Sequence, residues 1–309
     1  MLAIILSTYN GATYIRAQLD SILNQTLQTE LILIRDDGST DETKSILKEY
    51  QAKYHNIELI EDNLGNIGVL RSYSLLLQKV ASLDIDYCMF ADQDDVWYPN
   101  KTEILLAEIK TMNKERAALV FSDVELVDTN LQQIAPSLVA YQKLMPEQGR
   151  QLKALLFYSP ALGCTMIFNK FLVDNLVALN DNFPNPDKWA LLVAACLGDI
   201  KYVPVKTLKY RQHQRNITGA LKGIHRKKLS LENINFLQKR YQTALNEARI
   251  LEKHLPIMPN EHQVILKRFN ALFTGNIFKR LYNYCYFSMC PPHWQRKAGL
   301  FASLFLKYK

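Results

Sequence analysis

Cysteine is scarce in this chain and badly spaced for its structural uses. The 309 residues hold five: Cys88, Cys164, Cys196, Cys285 and Cys290. The number is odd, and no C-x-x-C pair is present. That excludes a zinc ribbon and a disulfide framework, and implies reduced thiols in a cytosolic setting. Long apolar runs are also missing, and nothing approaches the roughly 18 residues a membrane-spanning helix needs. The apolar start Met1–Leu6 lacks a basic flank and is too short for a secretory signal. No internal repeat, low-complexity tract or nucleic-acid reader motif appears, so nucleic acid is not an expected partner.

What is present is ordinary globular material: 48% hydrophobic and 22% charged residues, enough chain for one or two domains. The net charge of +7 is unevenly placed. Residues 1–221 hold 21 Lys+Arg against 26 Asp+Glu, a net of −5, whereas residues 222–309 hold 16 against 4, a net of +12. The split predicts a catalytic or binding domain over 1–221 and a basic, mainly helical extension over 222–309. The stretch Lys297–Lys309 sets Leu300, Phe301, Leu304, Phe305 and Leu306 between basic ends, a pattern suited to an anionic membrane surface.

The first half alternates between apolar runs and helical patterns. Strands are predicted at Leu2–Leu6, Leu31–Ile34, Ile57–Ile60, Tyr87–Ala91 and Ala118–Phe121, with helices between them. Later strands fall near Gly163–Phe168, Lys201–Val205 and Thr207–Gln212, and an apolar helix near Trp189–Leu197. Strand–loop–helix repetition predicts a mostly parallel sheet flanked by helices, with the loops after its strands sharing one edge.

Those loops carry the chemistry. Tyr87–Ala91 runs into Asp92-Gln93-Asp94-Asp95. Carboxylates so crowded repel unless a cation joins them, and a hard divalent ion is the natural partner. An EF-hand loop fits Asp92, Asp94 and Glu103 but puts Val96 at a ligand position and Trp97 where glycine is needed. Asp36-Asp37-Gly38-Ser39 can hold a base or ribose, or can be a plain helix-capping turn. Asn63–Gly68 has two glycines to free its backbone N–H groups, or is simply a loop. Asp187 reads as an N-cap or as a general base. In the cluster from Arg211 to Asn216, Arg211 and Arg215 suit phosphates and His213 suits a metal.

These blocks, in this order over about residues 1–220, resemble the inverting family 2 glycosyltransferases of the GT-A fold. The carrying residues are Ser7–Gly11, Asp36–Asp41, Asn63–Gly68, Phe90–Trp97, Asp187 with Trp189, and Tyr210–His213. The Asp-Gln-Asp-Asp-x-Trp variant and the closing His213 are most similar to bacterial rhamnosyltransferase-type members. The resemblance implies an α/β fold and transfer from dTDP-rhamnose or a UDP-sugar to a cell-surface glycan or lipid-linked acceptor. It implies donor contacts from Thr8, Tyr9, Asn10, Asp36, Asp37, Asn66, Asp92, Gln93 and Arg211. Asp94, Asp92 and His213 would hold Mg²⁺ or Mn²⁺, with Asp95 extending the acidic cluster, and Asp187 would be the base. Here Pro186 precedes Asp187, where the family commonly has histidine. The reduced thiols point to a cytoplasmic enzyme, and the basic extension is either a helical cap with solvated lysines or a peripheral attachment at the inner face of the membrane. The competing readings are a nucleotidyltransferase, which would want a basic phosphate loop that Ser7–Gly11 lacks, and a non-catalytic sugar-nucleotide or glycan-binding module.

Overall fold

Successive residues of the first strand feed two different cores. Ala3 and Ile5 pack on one side of the sheet, and Leu2, Ile4 and Leu6 on the other. The fourth strand repeats the pattern, with Cys88 and Phe90 against Tyr87, Met89 and Ala91. A strand buried on both faces reads as a continuous apolar run, which is why these segments were visible without alternation. The computed structural model describes residues 1–178, 185–213, 231–254, 257–291, 294–306 and 308, with the side chains of 231–234, 254 and 294–296 set aside. The predicted boundary at 221/222 and the candidate cation Arg215 lie outside the described residues.

In chain order the elements are β1 (Leu2–Thr8), α1 (Ile15–Leu23), β2 (Leu31–Asp36), α2 (Thr43–Lys53), β3 (Ile57–Leu59), α3 (Val69–Ala81), β4 (Tyr87–Ala91), β5 (Val96–Trp97) and α4 (Lys101–Ile109). Then come β6 (Ala117–Val127), β7 (Gln133–Ala135), three short helices α5 (Leu138–Gln142), α6 (Pro146–Gly149) and α7 (Leu152–Leu155), β8 (Met166–Asn169), α8 (Lys170–Val177), α9 (Pro186–Leu197) and β9 (Gly198–Arg211). The extension supplies α10 (Leu231–His254), α11 (Asn260–Thr274), α12 (Ile277–Phe287) and α13 (Trp294–Ser303).

One sheet runs β3-β2-β1-β4-β8-β6-β9-β5, with β7 on β6. Its first four strands are parallel, so the loops after β1, β2, β3 and β4 open on one edge. Beyond β4 the sheet is mixed: β8 is antiparallel to both β4 and β6, while β6 and β9 are parallel. The two strands expected near 201–212 are one 14-residue strand. Its register with β6 jumps from Ser122↔Val203 to Asp123↔Lys206, at Pro204. Proline has no N–H for the ladder, so it breaks the pattern of a strand that in fact continues through a bulge.

Helices α1, α2 and α4 cover one face, and α3, α8 and α9 the other. The extension joins this second core. Tyr241, Leu245, Phe269, Phe273, Phe287 and Leu300 are buried with Trp189 and Leu191 of α9. Phe157 binds the two halves with ring contacts at 5.3 Å to Phe269 and 5.6 Å to Phe287.

Candidate active site

The parallel strands deliver their loops to a cleft of about 660 Å³. The turn after β1 is fastened from two sides. Gln93 Oε1 accepts hydrogen bonds from Thr8 Oγ1 at 2.6 Å and from the Tyr9 N–H at 2.9 Å. Asn10, at φ 48°, donates its N–H to Ser39 Oγ, and its Oδ1 accepts from the Thr40 N–H. Gly11 is required by close approach: a Cβ there would sit 2.5 Å from Gln93 Oε1. Thr8, Tyr9, Asn10 and Gln93 all line the cleft.

Asp37 lies deeper, 3% exposed. Its Oδ1 accepts from Arg35 Nη1 at 2.6 Å and from the Ile67 N–H, and its Oδ2 accepts from the Gly68 N–H at 2.9 Å. The carboxylate thereby fixes the Asn63–Gly68 loop and places Asn66 on the cleft wall. Arg35, fully buried, is held in turn by Asp62. Gly38 turns the chain at φ 81°, and a Cβ on it would meet the Asn66 nitrogen at 2.8 Å. Asp36 is placed differently from Asp37. It caps its own turn through the Ser39 N–H at 2.9 Å and is absent from the cleft lining.

Past β4, Asp92 and Asp94 both face the cleft, while Asp95 turns into the protein and is fully buried. Burial pushes Asp92 up to about 7, reinforced by the neighbouring charges of Asp94 and Asp187. Asp95 is raised well above the carboxylate range by burial and by Asp94 and Asp92. Beneath them Lys101, also fully buried, donates its Nζ to the Cys164 carbonyl at 2.5 Å and stands 3.4 Å from the Trp97 ring centre. Burial pushes its ammonium down to about 7, against the pull of the Cys164, Asp95 and Asp92 charges. Cys164 comes close enough to Asp92 and Asp95 to form a ligand-like group. Asp95, Cys164 and Lys101 lie on the inner side of the turn, whereas Asp92 and Asp94 open toward the cleft, the side a cation arriving with a ligand could reach.

On that side His213 Nε2 lies 2.8 Å from Asp94 Oδ2. The contact is a hydrogen bond, and with both side chains on the cleft the pair could serve as ligands to a divalent ion. The His213 ring stacks on Tyr14 at 5.3 Å, and the Arg211 guanidinium covers the Tyr14 ring at 4.5 Å. Arg211, expected at the donor, is only 4% exposed. Its Nε donates to the Asp94 carbonyl at 2.8 Å, its Nη1 to the Thr129 carbonyl at 2.6 Å and its backbone N–H to Asp95 Oδ1. These contacts tie the last strand to the acidic turn.

Asp187 reaches the cleft from α9. It is not the N-cap. Asn185 is, accepting from the N–H groups of Asp187 and Lys188, with Pro186 preset at the first helical position. The Asp187 carboxylate is thereby free to turn into the site. Burial raises its pKa, opposed by a hydrogen bond from the Gly163 N–H. A Cβ on Gly163 would lie 2.2 Å from Asp187 Oδ1. Lys188, one residue on, pairs with Glu247 of α10 at 2.5 Å. The sequence pattern did not single out Gly163, Tyr14, Asn185 or Lys101. A single glycine or tyrosine carries no periodic signal, and a lysine in an amphipathic helix normally reads as a solvated charge.

The family model "Glycosyl transferase family 2" matches residues 3–176. The dTDP-rhamnosyl transferase RfbG of Shigella flexneri is 30% identical over 227 residues, 70% of this chain and 74% of that protein. Among solved structures, TarS residues 1–349 of S. aureus with UDP-GlcNAc superimposes with a TM-score of 0.58 at 17% identity, over 97% of this chain and 83% of that one. The mannosyltransferase PcManGT of Pyrobaculum calidifontis, in complex with GDP-Man and Mn²⁺, gives 0.53 at 14% identity, over 98% and 74%. The two structures speak to the fold alone.

Proposed function

The chain belongs to glycosyl transferase family 2, an inverting glycosyltransferase, and from that premise we propose that it moves one sugar from a nucleotide-diphosphate donor to an acceptor hydroxyl in cell-surface glycan synthesis. The observation that carries the reading is the convergence of Asp92, Asp94, His213 and Asp187 on one cleft. The donor is dTDP-rhamnose, in line with the Shigella relative, with a UDP-sugar as the second choice. Its base and ribose lie along Thr8–Asn10, Asp37, Asn66 and Gln93, with Asp36 shaping the adjoining turn. Asp94 and His213, with Asp92 beside them, would hold Mg²⁺ or Mn²⁺, which when bound neutralises the charge of the departing diphosphate. Arg211 acts through the acidic turn it ties down.

Asp187 accepts the proton of the acceptor hydroxyl as that oxygen forms a bond to the anomeric carbon. The bond from that carbon to the diphosphate oxygen breaks on the opposite face, so the configuration inverts. A raised pKa makes Asp187 a better proton acceptor than an exposed carboxylate. A lipid-linked acceptor suits the basic extension, which would hold the enzyme on an anionic inner leaflet.

The test is incubation with a panel of nucleotide sugars and Mn²⁺, following released nucleoside diphosphate. Acceptor-dependent release from one donor is expected. Release of pyrophosphate from a sugar phosphate and a nucleoside triphosphate would instead mark a nucleotidyltransferase, and donor binding without turnover a binding module.

A further inference from the structure

The extension's last two long helices present an apolar surface that the fold does not use. Along α12, Phe278, Leu281 and Tyr282 fall on one side at helical spacing, Met289 follows in the turn after it, and Phe278, Tyr282 and Met289 are 80%, 65% and 71% exposed. The inward side of the same helix is complete, with Asn283 and Phe287 buried. Helix α13 lies alongside in the opposite direction. Tyr284 meets Phe301 at 5.4 Å, and Arg280 Nη1 donates to the carbonyls of Leu304 and Leu306. Its Phe301 and, in the turn just past it, Phe305 are 45% and 63% exposed and touch each other at 5.7 Å. Leu300 and Leu304 fill its buried side. These side chains are surplus to the core: Phe278 and Tyr282 stand on the outward side of α12, and Phe301 and Phe305 at the end of the neighbouring helix.

The charge of this segment of the sequence is almost all of one sign. Residues 257–309 contain eight Lys or Arg and a single acidic residue, Glu261. Arg268 sits over the Tyr282 and Tyr286 rings at 5.3 and 4.6 Å, and Lys297 Nζ is 3.9 Å from Met289 Sδ. Among the described residues no helix is long and apolar enough to cross a membrane. Exposed Phe and Tyr beside Lys and Arg is the pattern of a surface that lies in the headgroup layer, rings down and cations on the lipid phosphates. A protein partner for this apolar area would have to be acidic as well.

We propose that the α12–α13 face, centred on Phe278, Tyr282, Met289 and Phe305, is a docking surface for an anionic phospholipid leaflet. The inference deepens the lipid-linked acceptor reading above and rests on it for its purpose. Its test reads adsorption alone, so the two stand or fall separately.

The full chain is sedimented with vesicles of mixed phosphatidylglycerol and phosphatidylcholine, and with phosphatidylcholine vesicles alone. Binding to the anionic vesicles is expected to be at least about tenfold stronger. The double variant Phe278→Ser/Phe305→Ser should weaken it by about tenfold, with circular dichroism unchanged. Lys279→Glu and Lys297→Glu should each weaken it by about fivefold and flatten its salt dependence. Equal binding by wild type and the serine variant overturns the proposal, as does no preference for anionic vesicles. So does conversion of a dimer to a monomer by the serine variant, which would make the face a contact between copies. Intact vesicle binding without any nucleoside diphosphate release would sink the transfer reading and leave this one standing.

Discussion

The carboxyl edge of the sheet and the far surface of the extension are opposite solutions to exposure. At the edge, carboxyl groups are concentrated and partly buried: Asp92, Asp94 and Asp187 line one cleft, with Asp95 and Lys101 buried behind them. On the extension, apolar rings are left in water among cations. Either arrangement is costly to folding by itself, and each leaves groups turned toward a ligand from outside. Function in this chain is legible as a departure from good folding practice, in opposite directions at the two places.

The largest effect should come at the edge. Asp187→Asn is expected to lower kcat by about 10²–10⁴-fold while leaving donor affinity in place, measured by single-turnover transfer alongside donor titration. The same variant should be slightly more stable than wild type. Because the folded pKa of Asp187 is raised, the folded state holds its proton more tightly than the unfolded state does, so stability rises as pH falls through that pKa and ionisation at neutral pH opposes folding. A D187N enzyme with most of its turnover, or a lower melting temperature, would erase the contrast.

Gly163→Ala comes next. Its methyl would press on the Asp187 carboxylate, so we expect about a 10- to 100-fold loss in kcat with little change in donor KM. Third, Glu247→Gln leaves Lys188 without its partner where the two regions meet. A fully buried pair broken this way costs about 3–5 kcal/mol, and Lys188 keeps 19% exposure, so about 2 kcal/mol is expected from urea unfolding. The acid limb of kcat against pH should lie above the usual carboxylate range, since Asp187 must be ionised to act. The smallest effect should be on the extension: Phe278→Ser should change unfolding free energy by no more than about 0.5 kcal/mol.

Much of the edge could be read from the chain alone. β4 ends where expected, at Ala91, and the loops after four strands do meet. Apolar runs and polar turns are local signals, and parallel topology collects them without further information. Other features depend on long-range placement. The Pro204 bulge hid the continuity of β9. Asn185 took the capping role that Asp187 was free to fill on sequence grounds. Arg211 has the composition of a phosphate ligand, and two of its guanidinium nitrogens, Nε and Nη1, donate to carbonyls. The extension looked from its charge like a separate module, yet Tyr241, Phe269 and Phe287 complete the core under α9. Charge reports the surface of a segment and says little about which neighbour its apolar side needs.

Lys101 has a practical consequence. With Lys101 buried under the acidic turn and bonded to the Cys164 carbonyl, and Arg211 clasping that turn from the other side, the turn is held by the protein's own contacts before any metal arrives. This is unlike a small zinc module, where the ion is part of the folding reaction. Here the ion would be a visitor to a finished protein. Treatment with a chelator should silence the enzyme without melting it, and the same preparation should accept one divalent ion after another, so that their merits can be compared in a single tube.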